Sequence, residues 1–331
     1  MLYANDGVSE RCTIDPAPHA DAPDLIWLDL LKPTDTERSL AERLTGLRVP
    51  AVAELEEIES SSRLSTENGV LYLSSPMHYL DDNGVSHASA LGFVLSDKYL
   101  MTIRFAELPS FDAFAKHFPH ERGRHAAHGP APCSVAAFVG LLETSVDRLA
   151  DVLEHMGAEL DTISRRVFRP EVKSESLTRT DAQLRATLRN IGRTGDRLSN
   201  LRDSLLGIMR IAQYTAEVAS DWVPQELRPR FITLKQDILS LNDYDAQLMN
   251  KVQFLLDATL GFINIEQNTG IKILTVVSVM GIPPTLIAGI YGMNFKWIPE
   301  LQWEYGYIYA WIFMIVSAVV PLLWFKKKGW A

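Results

Sequence analysis

The chain has 331 residues, a formal net charge of −9, 47% hydrophobic residues and two cysteines, Cys12 and Cys133. The acidic balance argues against a nucleic-acid partner, and two cysteines exclude a disulfide framework and fit a reducing compartment. There is no Gly-x-x-x-x-Gly-Lys-Ser/Thr run, so no phosphate cradle of that kind is visible and any transport must draw on an existing gradient.

The opening stretch MLYANDGVSERCTIDPAP is polar. It lacks the apolar core of a secretory signal, so the soluble part is expected to stay unexported. Residues 25–30 (LIWLDL) read as a strand. Thr34 followed by Glu37 is a capping-box pattern that starts a helix. Residues 70–74 and 90–95 read as strands, with Asp81-Asp82-Asn83-Gly84 as turn chemistry between them, and residues 99–103 as another. Together these define a compact α/β or α+β domain over residues 1–132. Residues 121–132, rich in Gly, His and Pro, look like its exit linker. Glu54, Glu56, Glu57 and Glu59 read as a solvated helix face. His117, His120, His125 and His128 contain a His-x-x-His spacing that suits zinc, nickel or cobalt, but no Cys or carboxylate stands at ligand spacing. No nucleophile–base constellation appears, so no enzyme is expected.

From Ser134 the period changes to threes and fours. Val135, Phe138, Leu142, Val146, Leu149, Leu153, Met156, Leu160, Ile163 and Val167 mark one long amphipathic helix, which Arg169-Pro170 stops. A second helix covers about 174–219. The chain turns near 221–224, where Pro224 suits a first helical position. From there no stop is visible until Gly292, which makes a third helix of roughly 100 Å by its rise. Residues 133–271 thus form a helical stalk, and a stalk so long suggests a symmetric bundle.

Residues 272–331 are different again. Residues 273–295 and 305–325 carry no charged side chain, and about 20 apolar residues cross the hydrocarbon core of a bilayer. The expected spans are about 273–291 and 306–325, joined by a short external loop, 292–305, and followed by a basic tail, 326–331. Lys272 precedes the first span and Lys326, Lys327 and Lys328 follow the second. The positive-inside bias then places both termini in the cytoplasm.

The first span has a patterned face. Asn264, Asn268, Ile271, Leu274, Ser278, Ile282, Thr285 and Gly289 recur every three or four residues. Small and hydroxyl side chains let membrane helices approach closely or line a wet path, and both readings are open. Pro283-Pro284 removes two N–H groups, so the carbonyls of Val279 and Met280 lose their helical donors. In lipid they need another partner, either a hydrated cavity or a neighbouring hydroxyl.

At Tyr291-Gly292-Met293-Asn294 the chain resembles the CorA family of magnesium transporters, whose signature is Gly-Met-Asn at the end of the first span. The resemblance extends over residues 262–268 (FINIEQN) and 272–279 (KILTVVSV). It continues at Pro283-Pro284-Thr285, Pro299-Glu300-Leu301, Gly306-Tyr307 and the closing lysines with Trp330. A weaker match runs through Trp27-Leu28-Asp29-Leu30 and Glu57-Ile58-Glu59.

The resemblance implies a funnel-shaped homopentamer in a bacterial inner membrane, with five first-span helices around a central pore and five second-span helices outside. Its partners would be other copies of itself, the bilayer and divalent cations. Mg²⁺ would be both cargo and regulator, with Co²⁺ and Ni²⁺ also carried and no organic cofactor. Gly292, Met293 and Asn294 would form the selectivity filter. Asn268, Ile271, Leu274, Ser278, Ile282, Thr285 and Gly289 would line the pore, and Glu300 and Glu304 would add a negative outer rim. Asp257 matches an acidic family position. Asp81, Asp237 and Asp243 are candidates for a regulatory cytosolic metal site, because Thr233 stands where some members carry Asp. Ile271 and Ile282 replace the methionine frequent in the family. Rival expectations are a zinc transporter resembling ZntB, or a membrane-anchored sensor or scaffold that transports nothing.

Overall fold

The computed structural model describes residues 1–5, 12–13, 25–57, 59–81, 84–125, 133–168, 177–219, 221–294 and 302–329. The chain divides into two compact units. The first holds Met1–Arg169 and Arg189–Leu255; the second holds Pro170–Leu188 and Leu256–Ala331.

The first unit opens on a seven-stranded sheet. Its strands are β1 (Leu2–Asn5), β2 (Cys12–Thr13), β3 (Trp27–Leu31), β4 (Leu64–Glu67), β5 (Val70–Leu80), β6 (Ser86–Leu95) and β7 (Leu100–Arg104). They lie in the order β2-β1-β3-β7-β6-β5-β4. All neighbours are antiparallel except β3 and β7, which pair in parallel from Trp27–Leu100 to Leu31–Arg104. A parallel pair needs a crossover, and here the crossover contains α1 (Asp35–Thr45), α2 (Val52–Leu55), α3 (Ser60–Arg63) and the other half of the sheet. The expected capping box is present: Thr34 Oγ1 accepts from the Glu37 N–H at 3.3 Å, and Glu37 Oε2 accepts from the Thr34 N–H at 2.8 Å.

Alternation along the strands splits the core in two. Leu28, Leu30, Val94, Met101 and Ile103 pack with Leu40, Ala41 and Leu55 of the short helices. Trp27 instead meets the aromatic face of α4 (Pro109–His125), 5.4 Å from Phe114. Between the layers sits a buried ion pair. Arg104 donates to Asp29 from Nε at 3.2 Å and from its terminal nitrogen at 3.0 Å. Thr102 donates to the same carboxylate at 2.8 Å and accepts from Trp27 Nε1 at 3.0 Å. A buried charge pair is tolerable only with its remaining lone pairs satisfied, and this chain of donors supplies that.

Three long helices follow. They are α5 (Ser134–Phe168), α6 (Leu177–Val218) and α7 (Arg228–Tyr291), the last entered through a single 3-10 turn, Gln225–Leu227, capped by Pro224. In the first unit they are tied by Arg202 to Asp245 at 2.8 Å, Arg230 Nε to Glu143 at 2.9 Å, and a Phe168–Phe254 stack at 5.5 Å. The second unit contains the rest of α7 and α8 (Gly306–Lys327).

Two expectations need correction. Residues 121–125 belong to α4 and not to a linker; polar Glu121, Arg122 and Arg124 extend the helix because Gly123 weakens it without breaking it. Residues 126–132 lie outside the described residues. The hairpin strands are also longer than the apolar runs that announce them. β5 continues to Leu80 and β6 starts at Ser86, since cross-strand pairing sustains polar residues that propensity alone would not.

Candidate functional site

α7 carries its regular structure through Pro283 and Pro284 to Tyr291. It ends where Gly292 N–H bonds the Ala288 carbonyl at 2.9 Å and Met293 N–H the Ile290 carbonyl at 3.2 Å. Asn294 follows immediately and is exposed. The proline pair leaves the Val279 and Met280 carbonyls without their ordinary N–H donors. Nearby hydroxyls do not replace them. Thr275 Oγ1 donates to the Ile271 carbonyl and Thr285 Oγ1 to the Gly281 carbonyl, both at 2.8 Å. With its proton committed inward, Thr285 offers only lone pairs outward.

The face of the first span is laid out by helical geometry. Val276 and Ile287 are both buried, at 8% exposure. At about 100° per residue they share one side. Ile271, Leu274 and Ile282 sit on the other side, exposed by 63%, 67% and 64%. Asn268, Thr285 and Gly289 are exposed along the same stripe and Ser278 is half-buried on it. Ser278, Gly281, Ile282, Thr285 and Gly289 line an open concavity that reaches Met293. Only 11% of the most apolar window of each span is buried.

The remaining candidates are scattered. Glu300 lies outside the described residues, and Glu304 is an exposed turn residue before α8. Asp81 accepts from the Val85 N–H at 2.7 Å and stands 3.2 Å from His87 Nε2, a hairpin-turn role. Asp237, Asp243 and Asp257 are exposed on α7. Among the described residues no three His, Cys, Asp or Glu side chains are placed within one chain so that they could hold a metal ion. Lys326, Lys327 and Lys328 are exposed, with Lys328 Nζ 5.1 Å above the Trp324 ring. His117 hydrogen-bonds the Ala113 carbonyl at 2.8 Å, while the side chains of His120, His125 and His128 lie outside the described residues. Glu54 caps α2 through the Ala51 N–H, and its bond to Arg48 holds its carboxyl below the usual range.

One feature escaped sequence reasoning. Burial raises the Asp147 carboxyl above the usual range, and the charges of Glu143, Asp151 and Asp237 raise it further. The four-residue spacing of Glu143, Asp147 and Asp151 on α5 was the available signal; the partner on α7 required the fold.

A mixed sheet and long helices are joined to two bare helices that are long and apolar enough to cross a membrane, the composition of a two-span membrane protein. Residues 23–327 match the model of the family described as CorA-like Mg²⁺ transporter protein. The chain belongs to that family. It is 34% identical over 306 residues to the magnesium transport protein CorA of Haemophilus influenzae, covering 92% of both chains. Its fold is similar to the complete structure of the CorA magnesium transporter from Methanocaldococcus jannaschii, with a TM-score of 0.76 at 20% identity over 100% of this chain and 99% of that one. The ZntB cytoplasmic domain from Vibrio parahaemolyticus is more distant, with a TM-score of 0.50 at 12% identity over 80% of this chain and 98% of that one.

Proposed function

We infer that the chain carries Mg²⁺ across a membrane, through a pore walled by the first spans of five copies. The transport reading follows from family membership and the identity to CorA relatives over nearly the whole chain. The single observation that carries the pore is the stripe of small and hydroxyl residues, Ser278, Gly281, Thr285 and Gly289, which lines an open concavity away from the side of the helix that Val276 and Ile287 bury. Symmetry-related copies set around an axis would turn that stripe inward and give the concavity a wet interior.

The chemistry suits a hydrated ion. Mg²⁺ loses its water reluctantly and prefers octahedral oxygen. A ring of Asn294 carboxamide oxygens accepts hydrogen bonds from first-shell water and leaves the ion dressed. Thr285, whose proton is committed to Gly281, presents a second ring of acceptors. Neutral oxygens bind weakly enough for release, as conduction demands. Below them Ile271, Leu274 and Ile282 form apolar constrictions that stop ions by dewetting when narrow.

The driving force is electrical. One charge through 100 mV is worth about 2.3 kcal/mol, so a divalent ion gains roughly 4.6 kcal/mol. We place both termini in the cytoplasm, with 1–132 and 133–271 as the cytosolic domain and stalk, and Glu300 and Glu304 outside. Metal bridging Asp81, Asp237, Asp243 or Asp257 between neighbouring copies would favour a closed symmetric form, and its loss would shift the population toward open forms. Co²⁺ and Ni²⁺ share the octahedral preference and are proposed as secondary cargo. The chain needs no organic cofactor and no enzymatic step.

Flux in proteoliposomes, with Mg²⁺, Co²⁺, Ni²⁺ and Zn²⁺ compared at fixed voltage, tests the reading. Voltage-driven Mg²⁺ entry is expected. Zn²⁺ movement without Mg²⁺ movement would favour the ZntB-like rival, and no flux at all would favour the anchored scaffold.

A further inference from the structure

The first unit contains a polar cavity that transport does not use. It measures about 350 Å³ and lies between the β5–β6 hairpin, α5 and α6. Ser86, Glu159, Asn190, Arg193, Asp196 and Arg197 contribute to its lining. Asn190, Arg193 and Arg197 recur at helical spacing, so α6 turns two guanidinium groups to one side.

These cations are poorly served by the protein. Arg197 Nε is buried and has no hydrogen-bond partner. Its neighbouring carboxylate, Glu159, stands 3.7 Å from a terminal nitrogen of Arg197, past hydrogen-bond reach. Arg193 is exposed and forms no ion pair among the described residues. That nitrogen is closed off from solvent, so Arg197 meets the cavity through other parts of its side chain, which is 22% exposed. The positive charge is felt nearby: burial first, then Arg197, lowers the His78 imidazole to about 4.

We propose that this cavity binds the phosphate end of a soluble magnesium–phosphate compound. Guanidinium forks match phosphate oxygens in geometry and charge. A bare polyanion would meet Glu159 and Asp196 and be repelled. A magnesium-loaded phosphate is not repelled, because those carboxylates accept hydrogen bonds from the metal's water shell. The volume lies at the small end of the usual range for ligand pockets, about 300–1,000 Å³, so a nucleotide would leave its base in solvent. Such a site lets the chain read complexed magnesium as well as the free ion, and that physiological meaning rests on the transport reading. The binding itself does not.

Calorimetric titration of the full-length protein in detergent tests it, with Mg²⁺ equal in cell and syringe. The ligands are ATP with Mg²⁺, ATP with a chelator in place of Mg²⁺, and inorganic phosphate with Mg²⁺. Mg·ATP is expected to bind one per chain, and ATP without the metal more weakly. Inorganic phosphate binding as tightly as Mg·ATP would support the site and name the single phosphate group as its ligand. Arg193→Gln, at an exposed side chain without an ion pair, is expected to weaken binding at least tenfold with the fold intact; Arg197→Gln should do the same. Absence of binding by every ligand at millimolar concentration, or wild-type binding by both variants, overturns the proposal. Flux in phosphate-free liposomes tests transport separately, so either reading can fail alone.

Discussion

Under the pore reading, Asn294 puts a neutral side chain where a carboxylate would bind a divalent ion more tightly. On that reading, Asn294→Ala removes the acceptor ring and is expected to abolish Mg²⁺-dependent rescue of a magnesium-requiring strain. Asn294→Asp is expected to bind Mg²⁺ more tightly and pass it more slowly, measurable as a lower saturating flux with half-saturation at lower concentration. His78 allows a different test. Its ring is buried, and it accepts from or donates to Ser86 at 3.1 Å. Burial and Arg197 lower it to about 4 from the ordinary 6.5. Between those values the unfolded chain binds a proton that the folded chain refuses. The stability tied to His78 is therefore complete above pH 6.5, falls as the pH drops toward 4, and levels off below, a loss of roughly 3 kcal/mol at most. Thermal melting of His78→Asn is expected to show a shallower decline between pH 7 and 5 than the unaltered protein. A parallel decline would count against the buried neutral imidazole.

Helix packing in the first unit turns on small residues. A Cβ on Gly207 of α6 would stand 2.9 Å from the Ser75 Cβ and closer still to its hydroxyl, so α6 rests directly on β5. Gly192, four turns earlier on α6, has nothing within 4 Å. Gly207→Val is expected to lose about 1–3 kcal/mol through overpacking, whereas Gly192→Ala should gain about 0.5–1 kcal/mol by removing backbone freedom. Chemical denaturation of the two variants measures both signs. The same elements show what pattern reading reaches. The capping box at Thr34–Glu37, the long apolar stripe of α5 and the unbroken run of α7 were legible because each is a local signal repeated or closed within a few residues. β1 and β4 were missed for different reasons. β4 is signalled locally, since Asn68-Gly69 turns it straight into β5 with Glu67 opposite Val70, whereas β1 owes its existence to a strand elsewhere in the sequence, Leu2 pairing with Leu30. The parallel β3–β7 register and the Asp29–Arg104 pair are invisible for the same reason.

The whole molecule is read most directly from its bare spans. A single chain leaves Ile271, Leu274 and Ile282 uncovered, and five copies would convert that exposed stripe into a lumen. Light scattering in mild detergent is expected to give five copies per particle. Cysteines introduced as Ser278→Cys and Thr285→Cys should react with water-soluble thiol reagents in at least one gating state. A monomer, or full protection in every state, would refute the pore. Of the candidate site, the stripe was legible because a helix repeats its face at a constant angle, and the Gly292-Met293-Asn294 turn only through its resemblance to a family signature. The cavity beside Arg197 was not, since it is assembled from a hairpin and two helices whose lining residues run from Gly84 to Arg197.

The first unit closes late in synthesis. Its core takes in residues up to Leu255, and the first apolar span begins at Ile273, only 18 positions on. At about 5–20 residues per second a ribosome covers that distance in roughly one to four seconds. Delivery to the bilayer and completion of the water-soluble half therefore fall in the same brief interval. Under the transport reading, the nascent chain meets its membrane within seconds of supplying the last residues of its first unit.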